Sequence, residues 1–276
     1  MRTPSRRVRR NVTTIHCDER TMTLLSVVVP AYREANTIAA ALHRLVDVLD
    51  RLDRPYEVIV VSDGNTDGTV DAAQALGLPN LRVLHYERNQ GKGYALRHGT
   101  QNSTGDLVAF IDADLDIHPE GIARFLDMLE TQHVDAVVAS KIHPDSVVNY
   151  PAFRRLQSKI FRLLVELFFR LDVSDTQTGL KLFRRELLDT CLPLVTTSGF
   201  AFDLELLVLA NDANFRIIEG PLQIDFNFTS TTGGAAVIQM LKDMISLERR
   251  RVRGRRNGAW VIKRHPGVTE TSRDPQ

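Results

Sequence analysis

The chain has 276 residues, 43% hydrophobic and 25% charged, with a formal net charge of +1. That is long enough for a sizeable core, and no stretch approaches the roughly 18 to 20 apolar residues of a membrane span. Two cysteines, Cys17 and Cys191, form no disulfide or metal-binding pattern and suit a reducing compartment. The start, MRTPSRRVRR, is basic but lacks an apolar core, so no secretory signal is expected. Residues 1–22 read as a disordered tail, with Met22 as an alternative start. Residues 1–20 hold six Arg against two acids, and 242–264 hold nine Lys and Arg against two, so the stretch between is net acidic. An acidic body with basic ends suits a cytoplasmic enzyme touching an anionic membrane surface or a membrane subunit, though solvated tails fit too. No nucleic-acid partner is implied.

The first predicted strand, LLSVVV (24–29), leads into PAYREAN and a helix over about 34–52. A dinucleotide-binding fold needs G-x-G-x-x-G there, and its absence counts against a dehydrogenase. YEVIVV (56–61) ends in SDGNTDGT, which is turn-forming but carries Asp63 and Asp67, before a helix near 69–76. LRVLHY (81–86) ends in ERNQGKGYALRHG, where Lys92 between two glycines opens a helix near 92–102. This is no Walker A loop; it fits either a phosphate-facing helix start or a flexible turn. DLVAFI (106–111) runs into DADLD, ahead of a helix near 120–131. An EF-hand would need Gly and Glu where Ile117 and Ala123 stand, whereas two carboxylates one residue apart can share Mg2+ or Mn2+ and leave vertices for phosphates. DAVVAS (135–140) is a fifth strand.

Apolar strands alternating with helices predict an α/β chain with a mostly parallel sheet covered on both faces, and ligands beyond the strands' carboxyl ends. After residue 141 the rhythm changes to helices near 151–171 and 201–213 and strands near 180–183 and 215–225. A last amphipathic helix near 235–251 carries Val237, Ile238, Leu241, Met244, Ile245 and Leu247, then an Arg-rich run from Arg249 to Arg256. The expected organisation is a catalytic domain over 23–230, with its nucleotide half reaching about 141. A C-terminal segment over 231–264, able to lie on a membrane, and a tail over 265–276 follow.

The blocks VVVPAYREAN, VVSDGNTDGT, RNQGKGYALRHG, FIDADLD, SDTQTGLKLF and GFAFDLELL, in this order, resemble the inverting GT-A glycosyltransferases of family 2 over about residues 23–230. Within that family the chain is similar to the polyprenyl- or dolichyl-phosphate sugar synthases, the β-glucosyl branch more than the mannosyl one. The resemblance implies a nucleotide-diphospho-sugar transferase fold and transfer of a hexose from UDP-glucose or GDP-mannose to polyprenyl phosphate. It puts Pro30, Ala31, Tyr32 and Glu34 at the base and ribose, Asp63 at the base pocket, and Lys141 near the phosphates, while Lys92 is a donor-binding candidate from its place at the helix start. The family usually has two Asp where this chain has Ser62-Asp63, which leaves the nucleobase open. Asp112 and Asp114 match the family's metal-binding D-x-D, with Asp116 as a third ligand. Arg154, Arg155 and Ser158 match the acceptor-phosphate segment. Asp203 and Glu205 lie where relatives with soluble acceptors keep a base, or serve structurally in a helix's first turn. Two other readings stay open: a family 2 enzyme acting on a soluble or polysaccharide acceptor, and a non-catalytic sugar-nucleotide binder.

Overall fold

The computed structural model describes residues 23–114, 116–148, 165, 166, 168, 169, 171, 173, 175–199, 201–224, 234–256, 260 and 262. Unbroken apolar runs have become strands with no solvent face. Strands β1 (Leu25–Ala31) and β2 (Tyr56–Asp63) are buried over most of their length, and β4 (Leu107–Phe110) and β5 (Ala136–Ala139) throughout. Strand β3 (Leu81–Tyr86) is half-buried, as an edge strand should be. Later come β6 (Val147–Val148), β7 (Lys181–Arg184), β8 (Ile217–Gly220) and β9 (Gln223–Ile224). The helices are α1 (Ile38–Leu49), α2 (Thr69–Gln74), α3 (Lys92–Gln101), α4 (Gly121–Thr131), α5 (Arg185–Cys191), α6 (Phe202–Asp212) and α7 (Gly234–Arg256).

The main sheet runs β3-β2-β1-β4-β7-β5-β8, and β6 pairs with β9 beside it. All main-sheet neighbours are parallel except β7, which runs antiparallel to both β4 and β5. The predicted mostly parallel α/β sheet is therefore present, with one reversed strand between β4 and β5. The strand expected over 215–225 is two, because Pro221 offers no N–H to a ladder and the chain leaves β8 for β9 there.

Successive β1 residues face opposite layers. Val27 and Val29 pack with Leu42 and Leu45 of α1 and Phe125 of α4, while Val28 packs with Leu96 of α3, Leu188 of α5 and Leu206 of α6. Helix α6 is buried from Phe202 to Ala210, so it has no solvent face over those residues. One side of α6 meets the sheet layer; on the other, Leu204 and Val208 meet Val165, Phe169, Met244 and Leu247. The C-terminal helix is thus a third layer of the domain, and two of the residues expected on its membrane face, Met244 and Leu247, are core. Val237, Ile238 and Leu241 lie where side chains are outside the description. No helix among the described residues is long and apolar enough to cross a membrane.

Candidate active site

The carboxyl ends of β1, β2, β4 and β5 open on one side of the sheet, as parallel strands require. From β1 come Pro30 and Ala31, then Tyr32, 43% exposed, with the Arg33 guanidinium 5.1 Å from its ring centre. The next loop is knitted to the one after β2. The Asp67 carboxylate accepts from Ala35 N at 3.1 Å and from Thr69 Oγ1 at 2.6 Å, and Thr69 Oγ1 accepts from Glu34 N at 2.9 Å. The hydrogen bond from Thr69 holds Asp67 below the usual carboxylate range.

Asp63, expected at a base pocket, is buried, and its two oxygens accept from Gln90 N at 2.7 Å and Gly91 N at 2.9 Å. Its carboxylate shapes the turn that opens α3. Gly91 has φ +94°, and a Cβ there would lie 2.7 Å from Ser198 O. Gly93 N donates to that same carbonyl at 2.8 Å. The G-K-G sequence is thus neither flexible nor idle: it docks α3 on the 196–199 loop and aims Lys92 across the cleft.

There Lys92 Nζ meets Asp112 Oδ1 at 2.5 Å. Asp112 Oδ2 fills the space where a Cβ on Gly179 would stand, 2.2 Å away, so any side chain at that position would displace the Asp112 carboxylate. Desolvation works against both charges of this pair, and the partner outweighs it. Lys92 is raised by Asp112 and Asp203, and Asp112 is lowered by Lys92, Lys181 and Lys141. Asp114, exposed at the rim, is pushed up to about 6 by desolvation in the cleft and by its neighbours Asp112 and Asp116. Asp116 donates its N–H to Asp114 Oδ1 at 3.2 Å and is raised by desolvation and by the charges of Asp112 and Glu34. These four carboxylates share one cleft. No group of three or more His, Cys, Asp or Glu among the described residues is close enough to hold a metal by itself.

Two buried contacts were not foreseen. Lys181, 1% exposed inside apolar β7, lies 2.8 Å from Asp203 Oδ1 and donates to Thr178 O at 2.5 Å. Because β7 is reversed, Lys181 stands beside Phe110, at the carboxyl end of β4. A lone Lys in the apolar run GLKLF was the available signal, since a buried ammonium needs an anion. Glu205, wholly buried, accepts from Thr196 N at 3.0 Å, Thr197 N at 2.9 Å and Thr197 Oγ1 at 2.8 Å, and pairs with Arg250 of α7. That is the structural role in the first turn of a helix. Lys141 Nζ lies 3.8 Å from Asp175. Arg154, Arg155 and Ser158 lie outside the described residues.

Carboxylates and ammonium groups therefore alternate at the carboxyl edge of an α/β sheet: Asp112 with Lys92, Asp203 with Lys181, Asp175 with Lys141. The profile of glycosyl transferase family 2 matches residues 26–192. The chain belongs to that family. It is an enzyme, a hexosyltransferase, and the GT-A expectation is met. Glycosyltransferase AglD of Haloferax volcanii is 33% identical over 202 residues, 72% of this chain but 32% of that protein, so the chain spans about a third of that relative. A dolichyl-phosphate β-glucosyltransferase, ALG5C, of Trichomonas vaginalis is 30% identical over 250 residues, covering 86% of this glycosyltransferase and 73% of the relative. Another dolichyl-phosphate β-glucosyltransferase, from Dictyostelium discoideum, is 29% identical over 259 residues, 87% and 77% of the two chains. Among solved structures, glucosyl-3-phosphoglycerate synthase from Mycobacterium tuberculosis with Mn2+, UDP-glucose and phosphoglyceric acid superposes with TM-score 0.65 at 22% identity, covering 83% of this chain and 81% of that one. Mannosyl-3-phosphoglycerate synthase from Rubrobacter xylanophilus gives 0.63 at 21% identity, covering 90% and 79%. These two establish the fold.

Proposed function

We propose that this glycosyltransferase moves a hexose from a nucleotide diphosphate sugar to a polyprenyl phosphate, with inversion at the anomeric carbon and with Mg2+ or Mn2+ as cofactor. One observation carries the reading: the D-x-D carboxylates Asp112 and Asp114 face Lys92 in the cleft, a mixed site suited to a cation and a diphosphate together. Two relatives named dolichyl-phosphate β-glucosyltransferases support the lipid acceptor and favour glucose as the sugar.

The residues fit a divalent ion. Asp112 and Asp114 would hold it, Asp112 in the space that Gly179 leaves and Asp114 at the rim, with Asp116 and Glu34 adding negative field. Because no three protein ligands converge among the described residues, a hard ion here would complete its shell with diphosphate oxygens and water. When bound, such an ion supplies Lewis-acid stabilisation of the leaving diphosphate. Lys92, now on Asp112, would turn to the same diphosphate, and Lys141 would add charge from the β5 side. Pro30, Ala31, Tyr32 and Glu34 would border the nucleoside. Asp63 would contribute indirectly, by holding the α3 turn. Arg154, Arg155 and Ser158 would receive the acceptor phosphate.

A phosphate nucleophile is already anionic at pH 7 and needs no strong base. The commitment of Asp203 to Lys181 and of Glu205 to Thr196, Thr197 and Arg250 is in keeping with that, and weighs against an acceptor hydroxyl activated by either. The test is incubation with radiolabelled UDP-glucose or GDP-mannose and polyprenyl phosphate, followed by organic extraction. Label should enter the organic phase with the divalent ion and stay out with excess EDTA. Transfer only to water-soluble acceptors would defeat the lipid reading, and donor binding without transfer would favour the non-catalytic one.

A further inference from the structure

We infer that the outward face of α7 is the surface by which this enzyme sits on an anionic lipid bilayer. The sequence alone suggested that the whole basic run and the apolar stripe before it would do so together, but the structure divides the arginines. Arg251 is 8% exposed and grips Asp212 with two hydrogen bonds of 2.8 Å. Arg255 reaches the same carboxylate at 2.7 Å, and Arg250 is held by Glu205. Those three fasten the helix to the domain.

Lys242, Arg249, Arg253 and Arg256 point the other way and are exposed, at spacings of three, four and seven that keep them on one stripe. No acidic residue of α7 from 242 on is exposed: Asp243 and Glu248 are half-buried, and Glu248 faces Arg251. Along one edge of the stripe stand Ile245, 45% exposed, and Val252, 38%, with Phe168, 39%, from the neighbouring layer. Together they line a shallow groove with Glu248, Arg249, Arg253 and Arg256. Three of the seven exposed large hydrophobics among the described residues therefore gather beside four unopposed cations. Ordinary solvated surface scatters such side chains singly. An apolar edge with a cationic flank suits the headgroup boundary of an anionic leaflet, where aliphatic side chains enter and Lys and Arg meet lipid phosphate.

The proposal draws on the lipid-acceptor reading in one respect: a polyprenyl acceptor is confined to a bilayer. Its test does not use the reaction. The full chain is co-sedimented, without donor, with phosphatidylcholine vesicles that contain phosphatidylglycerol or lack it. Wild type should bind the anionic vesicles, more weakly as salt rises. The variant R249Q/R253Q/R256Q should bind them on the order of a hundredfold more weakly, at about fivefold per cation. I245D/V252D should also lose binding while every cation remains. Unchanged circular dichroism and an unchanged melting temperature would exclude misfolding. Wild type bound to neither vesicle, or the triple variant bound as well as wild type, would overturn the surface. Self-association lost in the triple variant, without vesicle binding, would overturn it in favour of a second copy of the chain. Stripe-dependent vesicle binding in a chain that transfers no sugar would uphold the surface and remove only the reaction.

Discussion

Asp114 is the residue on which the cation reading turns. Its carboxyl is raised to about 6, and the desolvation and like charges that raise it are what a bound cation relieves. Asp114→Asn should lower transfer by at least about a hundredfold with the fold intact. The sign of the pH dependence follows from the raised value. Below about 6 Asp114 carries a proton and cannot ligate, so Mn2+ affinity, read by electron paramagnetic resonance, should fall about tenfold per unit of pH lost. Affinity flat between pH 5 and 7 would count against Asp114 as a ligand. The Lys181–Asp203 pair makes a different prediction, because both side chains are buried. Lys181→Met leaves an anion without its partner and should cost about 3–5 kcal/mol in urea unfolding, whereas Lys181→Met with Asp203→Leu should recover much of it. At this scale the sequence was legible where the signal is local. The D-x-D follows its strand directly, so Asp112 and Asp114 could be named. Lys181 and Glu205 take their roles from Asp203, Thr196 and Arg250, partners that only the fold brings near, and the reversal of β7 is what carries Lys181 to the site.

The elements that hold the cleft are joined in series. Arg250 of α7 binds both Thr196 and Glu205, Glu205 binds the backbone of Thr196 and Thr197, and Ser198 O receives Gly93 N at the start of α3. Lys92 stands between the two glycines docked there. Arg250→Met should therefore loosen the 196–199 loop and let Lys92 stray from the cleft, raising the donor KM roughly tenfold, with kcat and acceptor KM changing much less. Arg250→Lys keeps the charge without the guanidinium fork and should restore part of the effect. An equal loss in every kinetic constant, matched by a fall in folded fraction, would mean that Arg250 acts on stability alone. The first five strands and four helices could be read in advance because each carries its own periodicity. The orientation of β7 could not, since a four-residue apolar strand reads the same in either direction. Helix α6 gave no helical stripe because it is buried on every side, and its register is set by layers the local pattern does not contain.

For the whole molecule, the domain is closed from outside by α7 and Trp260. Asp212, at the end of α6, accepts from Arg251, Arg255 and Trp260 Nε1, so three side chains meet on one carboxylate. Desolvation would raise Asp212, but the bond to Arg251 and the neighbouring guanidinium charges outweigh it and hold it below the usual range. A carboxyl lowered by folding contributes stability that is complete above its unfolded value of about 4 and is lost as pH falls through the lower folded value. Ending the chain at Glu248 tests this closure directly. If residues beyond 248 were only a basic tail, melting would not change. The truncation instead removes Arg250, Arg251, Arg255 and Trp260, leaving Asp212 and Glu205 as buried carboxylates without cations. Losing one such partner costs about 3–5 kcal/mol, so the melting temperature at pH 7 should drop by roughly 10 °C or more. The drop should shrink in a parallel series as pH falls below about 4, where the stability that the Asp212 contacts give the intact chain begins to be lost. A shortened chain that melts with wild type at pH 7 would show that α7 rests on the domain without closing it.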